Sequence, residues 1–294
     1  PHTKCRSCTS SGNYHVTLPY GANWRLSDEG DADCRIWAAA LAASANGATC
    51  GRPGADYFCV RKMSGADATP FLIWTAPRSG SYFLSQALSA HPGVAMSFEA
   101  FNKNMATMYW GKGLKHFNIS KTFPFSNPLE FMKLQWRATR PMQASGAKIV
   151  MKQLSFTEQT KQLLQSAKLI LLRRENVLAT AVSIRRASAS HAWLHVHDPQ
   201  FAKAIRKTAG AKVPVKVQFV RHLMRAEEEW FSFAEAACDR DRCLKLTYSE
   251  FMSDFEGTLK RVFNFLNLSL SPLASIMAEV DAHTDMPPRA LNAH

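Results

Sequence analysis

The run Pro77-Arg78-Ser79-Gly80-Ser81-Tyr82 carries residue types that hold an anion. An apolar stretch from Phe71 to Ala76, FLIWTA, leads into it, and YFLSQALSAH follows with Leu84, Leu88 and His91 on one helical face. Strand, glycine turn, helix is the order these patterns imply. At such a junction free backbone N–H groups and the positive end of the helix dipole favour negative charge. Gly80 lets the main chain approach a ligand, Ser79 and Ser81 add hydroxyls, and Arg78 adds a fixed charge. By itself the run fits an ordinary strand-to-helix turn equally well. The Gly-x-x-x-x-Gly-Lys-Ser/Thr spacing of nucleoside-triphosphate-hydrolysing loops is absent, which argues against ATP or GTP hydrolysis.

Other positions could act with that turn. Arg174 follows the apolar run KLILLR (168–173), and Ser183 lies one helical stretch later. An arginine at a strand's C-terminal end and a serine on the next helix can converge on one phosphate. Glu99 follows the strand pattern VAMSF (94–98), so its carboxylate faces the same crevice and is the candidate base. His191, His195 and His197 are rival bases, because imidazole is the commonest general base. Lys148 and Lys152 fall in AKIVMK (147–152), read as a central strand, where a lysine must reach solvent or an anion. Trp193 offers a stacking surface, with core packing as its plainer role. No cluster with metal-ligand spacing occurs, so no metal is expected.

These side chains need a scaffold. Strand patterns at 71–76, 94–98, 147–152, 168–173 and 243–248 alternate with helical patterns near 82–91, 128–139, 157–166, 176–189, 215–237 and 255–267. Such alternation predicts an α/β fold, a mostly parallel sheet covered by helices on both faces. Residues 67–294 form this domain. Residues 1–66 read as a small Cys-rich appendage, with Trp37 to Ala43 as its one persuasive helical run. Cys5, Cys8, Cys34, Cys50 and Cys59 crowd into it, and Cys238 and Cys243 stand apart. Cys5-x-x-Cys8 could begin a zinc site, but no second such pair follows, so disulfides are favoured. A local bridge between Cys238 and Cys243 is expected across the polar segment DRDR.

Composition narrows the class. Hydrophobic residues at 46% and charged residues at 20% are ordinary for a folded domain. A formal charge of +13 attracts anions. The basic residues are scattered and no nucleic-acid-binding pattern is present, which argues against nucleic acid as the partner. No stretch reaches the roughly 18 apolar residues of a membrane span. Clustered cysteines and the sequons at Asn118 and Asn267 suggest a secretory-pathway lumen, Golgi-like, or an extracellular setting.

The segment FLIWTAPRSGSYFLSQALSAHP resembles the 5′-phosphosulfate loop of sulfotransferases that use PAPS (3′-phosphoadenosine 5′-phosphosulfate), with Tyr82 standing where the family has Thr or Ser. KLILLRRENVLATAVSIRRASASHAW (168–193) is similar to the 3′-phosphate motif of the same superfamily. SIRRASASHAW (183–193) and EEEW (227–230) look like patterns of the bacterial trehalose sulfotransferase group, and LTYSEFMSDFEGTLKRVFNFLNL (246–268) looks like a run widespread in the superfamily. The resemblance covers roughly residues 70–270 and is closest to the trehalose and carbohydrate sulfotransferase groups.

It implies a P-loop-like fold and an enzyme moving the sulfuryl group of PAPS, with PAP as product, to a hydroxyl or amine of a carbohydrate or small-molecule acceptor. The basic charge hints that this acceptor is anionic. The resemblance assigns Pro77 to Tyr82, Arg174 and Ser183 to the nucleotide, Glu99 to proton acceptance, and Lys152 to a position near the sulfate. Arg289 could replace a contact from the late glycine loop of cytosolic members, which is missing here. The competing readings are a degenerate nucleotide- or sulfated-glycan-binding module and a kinase-like phosphotransferase.

Overall fold

A computed structural model describes residues 15–17, 23–25, 68–103, 122–139, 142–190 and 213–283. Strands β1 (His15–Thr17) and β2 (Asn23–Arg25) form a short antiparallel pair. The N-terminal cysteines, the 37–43 helical run, His191, Trp193, His195, His197 and Arg289 all lie outside the described residues.

The main sheet has five strands: β3 (Thr69–Thr75), β4 (Val94–Ser97), β5 (Ala144–Val150), β6 (Lys168–Arg173) and β7 (Cys243–Thr247). Their order is β4-β5-β3-β6-β7, and every pairing is parallel. β3 is central, and Phe71, Leu72, Ile73 and Trp74 on it are fully buried. Such a continuous apolar run is what a strand covered on both faces requires.

Alternation along β3 divides the core. Leu72 and Trp74 face one cluster, built on α3 (Pro128–Ala138), α4 (Glu158–Gln165) and α6 (Val217–Ala236). Phe71 and Ile73 face the other, built on α1 (Ser81–Ser89), α7 (Tyr248–Ser253), α8 (Phe255–Leu266) and α9 (Leu273–His283). Trp74 stacks on Trp230 of α6 with ring centroids 3.7 Å apart, and its indole N–H donates to the Trp230 carbonyl. The short α2 (Phe123–Ser126) precedes α3, and α5 (Val177–Ser190) follows β6. His91, just past α1, is buried, its Nδ1 accepting from the Gly93 N–H and its Nε2 donating to Ser269 O.

The expected disulfide is present: Cys238 and Cys243 are bonded across the turn from α6 to β7. One boundary differs from expectation. β5 begins at Ala144 and ends at Val150, so Lys152 lies beyond the strand, exposed, in a turn with φ 76°.

The connection after β3 runs towards β4, on one side of β3, whereas β5 crosses to β6 on the other. The C-terminal ends of β3 and β6 therefore flank a switch point, where open α/β sheets bind ligands.

Candidate anion crevice and carboxylate

The turn after β3 is shaped by two left-handed residues, Arg78 with φ 65° and Gly80 with φ 81°. A Cβ at Gly80 would meet the Tyr248 ring at 3.2 Å and Phe251 at 3.4 Å, so glycine answers both a backbone and a space requirement. Gly80 is the N-cap of α1, and no side chain caps that helix. A glycine N-cap offers the first N–H groups no capping oxygen of its own, a setting in which a helix start can hold an anion.

Arg78 and Ser183 meet, a contact the sequence reading did not foresee, since it paired Ser183 with Arg174: Arg78 Nε donates to Ser183 Oγ at 2.9 Å. Arg174 Nη1 donates to the Arg78 carbonyl at 3.1 Å, and its guanidinium lies over the Tyr248 ring, 4.5 Å from the centroid. Two arginines just past β3 and β6 and a serine on α5 thus converge, Arg78 lying 96 positions from Arg174 and 105 from Ser183 in the chain. Burial and the neighbouring Arg174 both lower the Arg78 pKa from its ordinary value, with Tyr248 acting against them. Arg174 itself is half-buried and has no carboxylate partner among the described residues. A guanidinium cannot shed its charge, so an external anion is its natural complement.

Two side chains in the turn are engaged within the protein. Ser79 is fully buried, its hydroxyl meeting Thr75 Oγ1 and donating to Ala76 O at 2.8 Å. It braces the turn onto the end of β3, and only its backbone N–H remains to face a ligand. Tyr82 is held by two neighbours. Its OH accepts from Gln86 Nε2 at 3.4 Å, one turn along α1, and its ring packs on Phe98. Ser81 is the buried first residue of α1, and Pro77 lies in the turn leading to it.

Glu99 sits just past β4. Lys148 Nζ is 3.0 Å from its Oε1, while Asn102 Nδ2 and Gln153 Nε2 donate to its Oε2 at 2.6 and 2.9 Å. Burial would raise its pKa, but Lys148 and these donors together bring it below the ordinary carboxylate value. Glu99 is thus an ionised, oriented group. Among the described residues, Lys152 makes no contact that joins it to this cluster.

Sequence reasoning missed Glu227. It lies on α6 in the run EEEW, fully buried, and neither carboxylate oxygen has a hydrogen-bond partner among the described residues. Burial pushes its pKa up to about 7, with Arg173 pulling the other way. The signal was available: Leu223, Glu227, Trp230, Phe231 and Ala234 recur at helical spacing and are all buried. Among the described residues no group of His, Cys, Asp or Glu side chains converges as a metal site would require.

A family model described as the sulfotransferase family matches residues 70–272. No relative among curated proteins matches the chain. Similar solved structures include mouse sulfotransferase SULT7A1 complexed with PAP, at 17% identity and a TM-score of 0.40, covering 74% of this chain and 65% of that one. The chain thus spans slightly less than two thirds of the mouse protein. A sulfotransferase from Alicyclobacillus acidocaldarius is similar at 17% identity and a TM-score of 0.45, over 74% of this chain and 94% of that one. Sulfotransferase STF9 from Mycobacterium avium is similar at 14% identity and a TM-score of 0.42, over 78% of this chain and 71% of that one.

Proposed function

The chain belongs to the sulfotransferase family, and from that premise we propose that it moves the sulfuryl group of PAPS to a hydroxyl or amine of a carbohydrate or small-molecule acceptor. The observation that carries this reading is the crevice at the ends of β3 and β6. There Arg174, without a carboxylate partner among the described residues, lies against the turn that carries Arg78, and Arg78 meets Ser183. A nucleotide with phosphates at both its 3′ and 5′ positions suits such a site. The N–H groups at the start of α1 and Arg78 would take the 5′-phosphate, and Arg174 with Ser183 the 3′-phosphate.

In the reaction the acceptor's oxygen or nitrogen lone pair forms a bond to sulfur. The bond from sulfur to the 5′-phosphate oxygen breaks, and its electron pair stays on that oxygen, giving PAP. Charge grows on the departing phosphate, where Arg78 and the backbone N–H groups stabilise it in place. The acceptor's proton passes to Glu99. A base of low pKa suffices, because a sulfated oxonium or ammonium is far more acidic than the free acceptor. The positive charge of the chain favours an anionic acceptor. A luminal or extracellular setting is supported by the Cys238–Cys243 bridge and by Asn267, exposed at the end of α8 in the sequon Asn267-Leu268-Ser269.

Thermal-shift titration with PAP, PAPS, ATP and GTP tests the donor assignment. PAP and PAPS should raise the melting temperature well beyond ATP or GTP at equal concentration. Equal shifts from PAP and ATP would remove the 3′-phosphate role of Arg174 and Ser183 and favour a phosphotransferase. Nucleotide binding without any turnover of PAPS would favour a degenerate binding module.

A further inference from the structure

Lys148 occupies an unusual place. It stands on β5 directly beside Ile73 of the central strand, 2% exposed, where a strand covered on both faces ordinarily carries an apolar residue. Its neighbours Ala147 and Ile149 point into the core on the opposite face. Removing an ammonium from water is costly unless partners replace the water. Those partners are found on two other elements.

Lys148 touches the Glu99 segment twice. Its backbone N–H donates to the carbonyl of Phe98 at 2.8 Å, and its Nζ lies 3.0 Å from Glu99 Oε1. The ammonium also lies 5.5 Å from the centroid of the Tyr82 ring, on the first turn of α1. Tyr82 in turn packs on Phe98, with centroids 5.7 Å apart. One lysine therefore ties the segment after β4 to the helix whose first N–H groups face the anion crevice. Among the described residues, this cluster brings together the charged and titratable side chains of Lys148 from β5, Tyr82 from α1 and Glu99 itself, with Asn102 and Gln153 as neutral donors.

We propose that Lys148 is a positioning residue for sulfuryl transfer, holding the Glu99 carboxylate in fixed relation to the start of α1. The proton acceptor and the departing phosphate then keep a constant separation through the reaction. This rests on the role proposed for Glu99. The plainer role for the pair is structural, a buried ion pair fastening β4 to β5. The two roles differ in what they move: a purely structural pair alters melting, whereas a positioning lysine alters turnover and its pH dependence through Glu99 alone.

The test uses the whole chain and PAPS with water as acceptor, reading the PAP released. Lys148→Met should lower kcat about 10- to 100-fold, the scale of a small displacement of a reacting group, while KM for PAPS changes by less than about twofold. The acid limb of the kcat profile should move to higher pH, because Glu99 loses the charge that keeps it ionised. Lys148→Gln, which keeps a donor but no charge, should recover part of kcat and still show the displaced limb. It also serves where the Met variant does not fold, as judged by melting with and without PAP. In the Glu99→Gln background, Lys148→Met should slow turnover no further. If its effect there is as large as in the native chain, Lys148 acts independently of Glu99 and the proposal is wrong. An unchanged kcat and acid limb in both lysine variants would overturn it as well, leaving the structural pair. Native turnover in Glu99→Gln alone would instead remove the underlying role of Glu99, a separate and recognisable result.

Discussion

Glu99 and Glu227 are both taken out of water, yet their surroundings drive them in opposite directions. The Glu99 side chain keeps 17% of its exposure and meets Lys148, Asn102 and Gln153. Glu227 has no exposure and, among the described residues, no hydrogen-bond partner. The first is held below the ordinary carboxylate pKa, and the second is pushed up to about 7. Burial disfavours the charged form of both, so partners decide the outcome. A carboxylate is kept charged by its neighbours, whereas an isolated one inside a helix packing face is neutral over much of the pH range.

The largest effect should come from breaking the partnered carboxylate. Glu99→Gln keeps shape and hydrogen bonding but removes the base, so PAPS turnover should fall by about 10²–10⁴-fold, the usual contribution of a positioned acid–base group. PAP binding should scarcely change. Loss of PAP affinity together with turnover would mean that Glu99 contacts the nucleotide or supports the fold. With an amine acceptor, already nucleophilic when neutral, the loss should be smaller.

The same logic extends to the cations. Lys148 has its carboxylate, and Arg174 has none among the described residues. A lone buried acid can take up a proton, but a guanidinium keeps its charge and calls for an anion. Arg174→Ala should weaken PAP binding by about 1.5–3 kcal/mol, the scale of a charge-assisted hydrogen bond. Calorimetric titration with PAP measures it. An unchanged affinity would leave Arg174 as a brace for the turn, through its bond to the Arg78 carbonyl, and nothing more.

Much of this arrangement was legible in the sequence because it rests on periodicity and chain order. Apolar runs located all five strands of the main sheet, and the Arg78 turn and Arg174 could be placed at strand ends, with Ser183 on the helix that follows. What escaped was set by contacts between elements. The start of β5 is Ala144-Ser145-Gly146, small residues buried between β4 and β3, which give no apolar signal. The inward turn of the Ser79 hydroxyl depends on Thr75 lying beneath it. Glu227 lies with Leu223 and Trp230 on the packing face of α6, and its helical spacing could have signalled that burial.

The smallest effect, and the one that isolates the unpartnered acid, concerns Glu227. Its folded pKa lies near 7, above the value for an exposed glutamate. Between those two values the native state holds a proton that the unfolded chain has released, so stability must fall as pH rises through that window. The loss is complete above about pH 7. Glu227→Gln substitutes a neutral group of nearly the same shape and cannot ionise. Near pH 5, where the native acid is protonated, variant and parent should melt together within experimental scatter. Near pH 8 the variant should be more stable by about 2–3 kcal/mol, since most of the rise from the ordinary value to about 7 is expressed between the two pH values at about 1.4 kcal/mol per pH unit. Denaturant unfolding at the two pH values supplies the comparison, and only the difference between them matters, because the buried amide is as poorly partnered as the protonated acid it replaces. A variant less stable at both pH values would show that the carboxylate has a partner it needs. Glu227 would then join Glu99 as a supported charge, and the contrast between the two would disappear.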